Sequence, residues 1–133
     1  MKPSLKKGFS IIELIFVIAV LGIIAAVAVP KLMDTRASAL AITIKQDIST
    51  ITTSIQSYTM INDKIKKISD SVNINDSTWT ISDLKVDFIS EDNLCVSIEV
   101  LSNELNVSIN EGTSKVCTKL YDSGVRDVSY ELY

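Results

Sequence analysis

The stretch KKGFSIIELIFVIAVLGIIAAVAVP occupies Lys6 to Pro30. From Leu14 to Val29 it is unbroken apolar, counting Gly22, and Phe9, Ile11 and Ile12 extend it toward the N-terminus. As a helix, about 20 such residues at 1.5 Å each cover roughly 30 Å, the thickness of a bilayer's hydrocarbon core. One acidic residue, Glu13, stands near the start of this run. A carboxylate in a membrane helix is costly, so it normally has a partner or a task.

The flanks orient the segment. Lys2, Lys6 and Lys7 precede it, while Lys31, Asp34 and Arg36 give a mixed flank after it. The positive-inside rule then places the N-terminus in the cytoplasm and the body outside. Three readings follow. The run is a plain signal anchor, or a secretory signal peptide removed at the A-x-A pattern of Ala26–Ala28, or something that also accounts for Gly8, Phe9 and Glu13. A cut after Gly8 would create a new α-amine on Phe9, one helical turn from Glu13. That amine adds positive charge to a helix end that is already partly positive, and a carboxylate neutralises it, within one chain or between neighbouring chains.

At these residues the sequence resembles the class III signal of type IV pilins and type II secretion pseudopilins. The family's pattern is a short basic leader ending in Gly, then Phe or Met, a small or polar residue, two apolar residues, Glu and a long apolar helix. Here it reads KKG, F, S, II, E and LIFVIAVLGIIAAVAVP. The resemblance implies cleavage by a prepilin peptidase between Gly8 and Phe9, and N-methylation of Phe9. It implies that Glu13 meets the Phe9 amine of a neighbouring subunit during assembly, and that Pro30 is the helix-kinking proline. The implied division is a leader at residues 1–8, a transmembrane and filament-core helix at 9–30, and a periplasmic pilin-like domain at 31–133.

Beyond Pro30 the pattern becomes amphipathic. Ala37, Leu40, Ala41, Ile44, Ile48, Ile51, Ile55 and Tyr58 fall on one helical stripe. No glycine separates this stretch from the apolar run, and a proline can kink a helix without ending it. The expectation is one long bent helix from Phe9 to about Ile61. Its Thr and Ile content gives poor intrinsic propensity, so packing of the stripe must hold it. Residues 69–80, rich in Asn, Asp and Ser, read as loop, with Trp79 as a core plug with a polar edge. LCVSIEVL and ELNVSIN alternate as strands around an LSNE turn. SKVCTKL reads as a third strand and DVSYELY as an edge strand. The expected fold class is α+β: a pilin-like long helix packed on a small antiparallel sheet.

Cys95 and Cys117 are expected to form a disulfide, because a body outside the inner membrane meets an oxidising compartment; two buried free thiols are the alternative. No metal is expected, since two thiols are too few ligands. Asn110, Glu111, Asp122 and Asp127 are the candidate oxygen ligands for calcium, with scattered surface acids as the simpler reading. Lys64–Lys67 (KIKK) form a small basic patch that suits DNA or an anionic partner, or a solvated loop. Asn106 opens an N-x-S acceptor within a predicted strand.

Composition narrows the function. Of 133 residues, 13 are basic and 16 acidic, and none is histidine. That removes the commonest general base and every histidine-based triad, and no catalytic constellation stands out. An enzyme is therefore not expected. The expected role is a structural subunit, a pseudopilin or minor pilin of a type II secretion or type IV pilus-like filament. The small body and short cysteine loop lean toward a pseudopilin of type II secretion, or one serving DNA uptake. Its partners would be copies of itself and related pilins, the prepilin peptidase and an inner-membrane assembly platform. It would be single-pass in the bacterial inner membrane before entering a periplasmic or surface filament. A DNA-uptake pilin is the near alternative, and would bring nucleic acid in as a partner; a signal-anchored periplasmic binding protein is the alternative from another class.

Overall fold

A computed structural model describes residues 7–132. Helix α1 runs Ile11–Asn62 with Pro30 inside it. A 3-10 turn at Ile68–Asp70 follows. Next come strands β1 (Thr80–Ile81), β2 (Lys85–Ser90), β3 (Asn93–Leu101) and β4 (Glu104–Ile109), helix α2 (Lys115–Asp122) and strand β5 (Val128–Glu131). The five strands form one antiparallel sheet in sequential order, β1 to β5. This is the expected α+β layout, a long helix packed on a small antiparallel sheet. By its internal contacts the chain divides into a unit ending at Arg36 and one beginning at Ala37.

In the second unit, the residues of α1 that are buried are Ala41, Ile44, Ile48, Ile51, Thr52, Ile55 and Thr59. They sit at helical spacing, and the hydroxyls of Thr52 and Thr59 turn back onto carbonyls of their own helix, so polar atoms are buried without being orphaned. The ends of the sequence stripe are less covered: Ala37 and Tyr58 are half-buried and Leu40 is exposed. Opposite this stripe the core takes Val86 and Phe88 from β2, Val96, Ile98 and Val100 from β3, and Leu105 and Val107 from β4. Each set alternates along its strand, as period-two pleating requires. Cross-strand register agrees, with Val86 opposite Ile98 and Ile98 opposite Val107.

The hairpins explain the register. Glu91 and Asp92 both have positive φ (52° and 63°) between the paired Ser90 and Asn93. That is the two-residue type I′ geometry whose twist matches paired strands. Leu101 pairs with Glu104 around Ser102 (φ 52°) and Asn103, within the LSNE turn read from the sequence. Trp79 is buried, its ring 5.7 Å from that of Phe88. Its indole N–H donates to Asp47 at 3.0 Å, so the polar edge is satisfied inside a largely apolar contact.

The segment SKVCTKL differs from expectation: it is helix α2, not a strand. Ser114 caps it, its hydroxyl accepting the Cys117 N–H at 3.2 Å. At the other end Gly124 (φ 106°) donates to Tyr121 and Val125 donates to Leu120, each at 3.1 Å. This pair of bonds is the Schellman arrangement, with the buried Val125 and Leu120 making its apolar contact. Alternation of Val116 and Thr118 suggests a strand, but Val116, Cys117 and Leu120 are the buried set, which is helical spacing. The capping Ser and terminal Gly are the better signal. Strand β2, in KVDFIS, is not among the strands expected from the sequence, and β5 falls within DVSYELY.

Cys95 and Cys117 form a disulfide, with Cα atoms 5.6 Å apart, tying β3 to α2. Both residues are fully buried. Closing a loop of this size stabilises by about 3 kcal/mol on the chain-entropy account. Replacing both cysteines by alanine should therefore lower unfolding stability by about 3 kcal/mol, read as a shift of the urea midpoint of the full chain in detergent.

Candidate functional site

Residues Gly8 to Met33 carry the chemistry that the sequence singles out. Helix α1 holds an apolar stretch long enough to cross a membrane, and none of it is buried within the chain. Phe9 is 90% exposed, and Ile11, Ile12, Phe16, Ile23 and Val27 are all exposed. Length and apolar character suit a bilayer span. An apolar surface of this extent on a helix that covers none of it with its own chain calls for another covering, lipid or protein.

The N-terminus of α1 is built around Glu13. Ser10 immediately precedes the helix, and its carbonyl accepts the first helical bond, from Leu14, at 3.1 Å. The Glu13 N–H donates to the Ser10 hydroxyl oxygen at 3.2 Å, and the Ser10 N–H donates to the Glu13 carboxylate at 2.9 Å. The Ser10 hydroxyl adds a third contact to the same carboxylate at 3.1 Å. This is a capping box: each residue satisfies the other's orphan backbone donor. It also places a carboxylate at the partly positive end of the helix. The S-x-x-E spacing at Ser10–Glu13 is a capping signature legible in the sequence, overshadowed there by the pairing of Glu13 with Phe9. Glu13 thus has a local partner in addition to any that a neighbouring chain supplies.

Gly8 and Phe9 lie before the helix, exposed, and a side chain at Gly8 would meet open space. The bond between them is accordingly open to solvent in the chain. Pro30 sits within α1 without the N–H that an interior helical residue would donate, and one turn on Thr35 donates its hydroxyl to the Lys31 carbonyl at 3.0 Å.

Residues 3–29 match the family model for the prokaryotic N-terminal methylation motif. The chain carries the type IV pilin and pseudopilin signature. The matched stretch includes Lys6, Lys7, Gly8, Phe9, the capping pair Ser10 and Glu13, and the apolar run to Val29. The signature and the apolar helix fit a membrane-anchored protein, and the body has the pilin-like layout of a long helix on a small antiparallel sheet. Comparison with curated proteins and with solved structures returns no match.

The other candidate residues lie apart from this segment in the chain. The Asp127 carboxylate accepts the Ile109 N–H at 2.8 Å, extending the β4 edge. Asn110 donates its amide to the Leu94 carbonyl at 3.0 Å. Glu111 and Asp127 line one shallow hollow, together with Tyr121 and Arg126. The Arg126 guanidinium stacks 3.6 Å over the Tyr121 ring and donates to the Tyr121 and Val125 carbonyls, so a cation already borders that hollow. Asp122 ends α2. Among the described residues no group of three or more His, Cys, Asp or Glu is placed to hold a metal ion. Asn106 is half-buried in β4, paired on both sides by β3 and β5.

Ser10→Ala removes one half of the capping box and Ser10→Thr retains it. Loss of such a cap costs about 1 kcal/mol, or roughly five-fold in local opening. Hydrogen exchange of the Glu13 and Leu14 amides in the full chain should speed by about that factor in the alanine variant and stay near wild type in the threonine variant.

Proposed function

We propose that the chain is a pilin-like structural subunit, made as a membrane-inserted precursor and assembled through its N-terminal helix. The observation that carries this reading is an uncovered apolar helix whose first turn holds a capped carboxylate, within a matched methylation motif. A prepilin peptidase cuts between Gly8 and Phe9 and methylates the new Phe9 amine. Glu13 then meets that amine, from its own chain or a neighbour. A slip of one helical turn between subunits would leave a charge unpaired in apolar surroundings, so the pair fixes axial register. The apolar faces supply the association surface as lipid contacts are exchanged for contacts between helices. Related pilins, the peptidase and an inner-membrane platform are the partners in this reading, and the body lies in the periplasm before assembly. The role is structural rather than enzymatic.

The machine we favour is a type II secretion or type IV pilus-like filament, with the chain as pseudopilin or minor pilin. The small body and its 22-residue cysteine spacing support a pseudopilin over a major pilin. A subunit serving DNA uptake shares the same design, and Lys64, Lys66 and Lys67 are the feature that favours it.

N-terminal analysis of the mature protein tests the processing step: methylated Phe9 is expected at the start. A start at Val29 would instead assign the segment to ordinary signal peptidase, and an intact Met1 to a plain anchor. Glu13→Ala is expected to leave cleavage largely intact while sharply reducing filament yield in sheared fractions. Wild-type filament yield from that variant would remove the register role of Glu13.

A further inference from the structure

The end of α1 in the second unit carries a surface that the packing of the unit does not use. Met60 and Ile61 are 82% and 81% exposed, the most exposed large apolar side chains from Ala37 onward. They are adjacent in sequence. The helix stops just after them at Asp63, whose positive φ of 63° gives a left-handed terminus. Lys64, Lys66 and Lys67 follow, all exposed. A solvated loop would leave these lysines unanchored. Here Ile65 and Ile68, between and beyond them, are buried in the core, and the Ile68 N–H donates to the Asp83 carbonyl at 2.7 Å. Lys67 lies 3.7 Å from the Asp83 carboxylate in an exposed pair. The backbone under the lysines is thus pinned, and they are presented beside two bare apolar side chains.

The rest of the unit has the opposite character. From Ala37 onward it holds eight basic and fourteen acidic residues, and three of the eight are in this patch. The sheet face turned away from α1 carries mostly polar side chains in its central rows. Lys85, Glu99, Asn106 and Ser129 stand in one cross-strand row. Glu104 stands directly opposite Glu131 in the next row, both exposed. Like charges directly opposed on a sheet are unfavourable; the Ser129 hydroxyl donates to the Glu104 carboxylate at 3.5 Å but adds no positive charge to the pair. Leu101, opposite Glu104 on its other side, is exposed in that same row and offers an apolar contact.

We propose that the Met60–Lys67 tip docks on the outer sheet face of a second copy of this chain, around Leu101, Glu104 and Glu131. This rests on the filament reading and deepens it by naming a contact between bodies, separate from the N-terminal helices. The two surfaces are complementary: bare apolar side chains with three lysines on one, an exposed leucine with opposed carboxylates on the other. The patches are different surfaces of one chain, so the contact is heterologous and propagates from copy to copy rather than closing a pair. Individual exposed ion pairs are weak and screened by salt. In a filament each copy offers both patches while the N-terminal helices hold the bodies close, which raises the effective concentration at which they meet.

The test uses the full chain in cells, with a photo-cross-linking residue at position Asn62, which is exposed beside the patch. The expected product is an adduct of two copies, with the second attachment mapping to the β3–β4 and β5 region. The triple variant Lys64→Glu, Lys66→Glu, Lys67→Glu should lower adduct yield about five-fold or more, as loss of several exposed pairs implies, and the triple Lys→Arg variant should retain it. Adding Glu104→Lys and Glu131→Lys to the Glu triple should restore the adduct. All these positions are exposed, and an unchanged Trp79 emission spectrum confirms that the variants fold. Adducts only with lipid, nucleic acid or another protein would overturn the proposal, as would a yield indifferent to charge reversal. If Phe9 is the mature N-terminus and filaments form, either result removes this contact and leaves the filament reading standing. A chain that keeps Met1 and forms no filament removes both.

Discussion

One stripe of buried isoleucines, Ile44, Ile48, Ile51 and Ile55, is the contact on which the folded unit depends. Those side chains cannot be covered by the helix itself, and β-branched residues give that helix little intrinsic stability. The sheet supplies the cover through the alternating residues of β2, β3 and β4. The rest of that core comes mainly from Ile65, Ile68, Trp79 and the buried residues of α2, so removing α1 would expose much of the sheet's apolar face. Helix and sheet are therefore stable only together. Each full burial of a large aliphatic side chain contributes about 1.5–3 kcal/mol, so four on one stripe weigh heavily in a body this small.

The same helix behaves in opposite ways along its length. From Ala41 to Ile55 one stripe of its apolar residues is buried at helical spacing, while Ile42, Met60 and Ile61 stay exposed. Between Phe9 and Met33 they are exposed all round. The change follows from composition: an apolar stripe needs one protein surface, whereas an apolar cylinder needs a surrounding medium. Glu13 is tolerable at the start of that cylinder because it sits in the first turn. There the carboxylate completes the Ser10 cap and faces unpaired backbone donors, not hydrocarbon on every side.

Much of this is legible in the residues. The stripe from Ala41 to Ile55, the strands around Val96–Val100 and Leu105–Ile109, the turn between them and the satisfied edge of Trp79 all follow from periodicity and polarity. So does the methylation motif, since its residue types occur in a fixed order over a short span. Helix α2 is not legible by the same means. Eight residues are too few for periodicity to separate helix from strand, and the β-branched Val116 and Thr118 favour the wrong answer. Its caps, Ser114 and Gly124, hold the information. Strand β2 is short and irregular: its alternation covers only Val86 and Phe88 before a bulge at Phe88/Ile89 breaks the register. The Ser10–Glu13 box is hidden for another reason: one residue, Glu13, serves two patterns, and the longer-range pattern masks the local one.

Trp79 is the chain's single tryptophan, and it lies where the loop after α1 meets both the sheet and Asp47. The residues described up to Arg36 contain only phenylalanine as an aromatic. The anchor is consequently dark at the wavelengths where the indole emits. Light collected there comes from the body alone, in micelle, membrane or fibre. The protein thus carries a built-in optical gauge that can tell an unfolded head from one that has merely changed its surroundings.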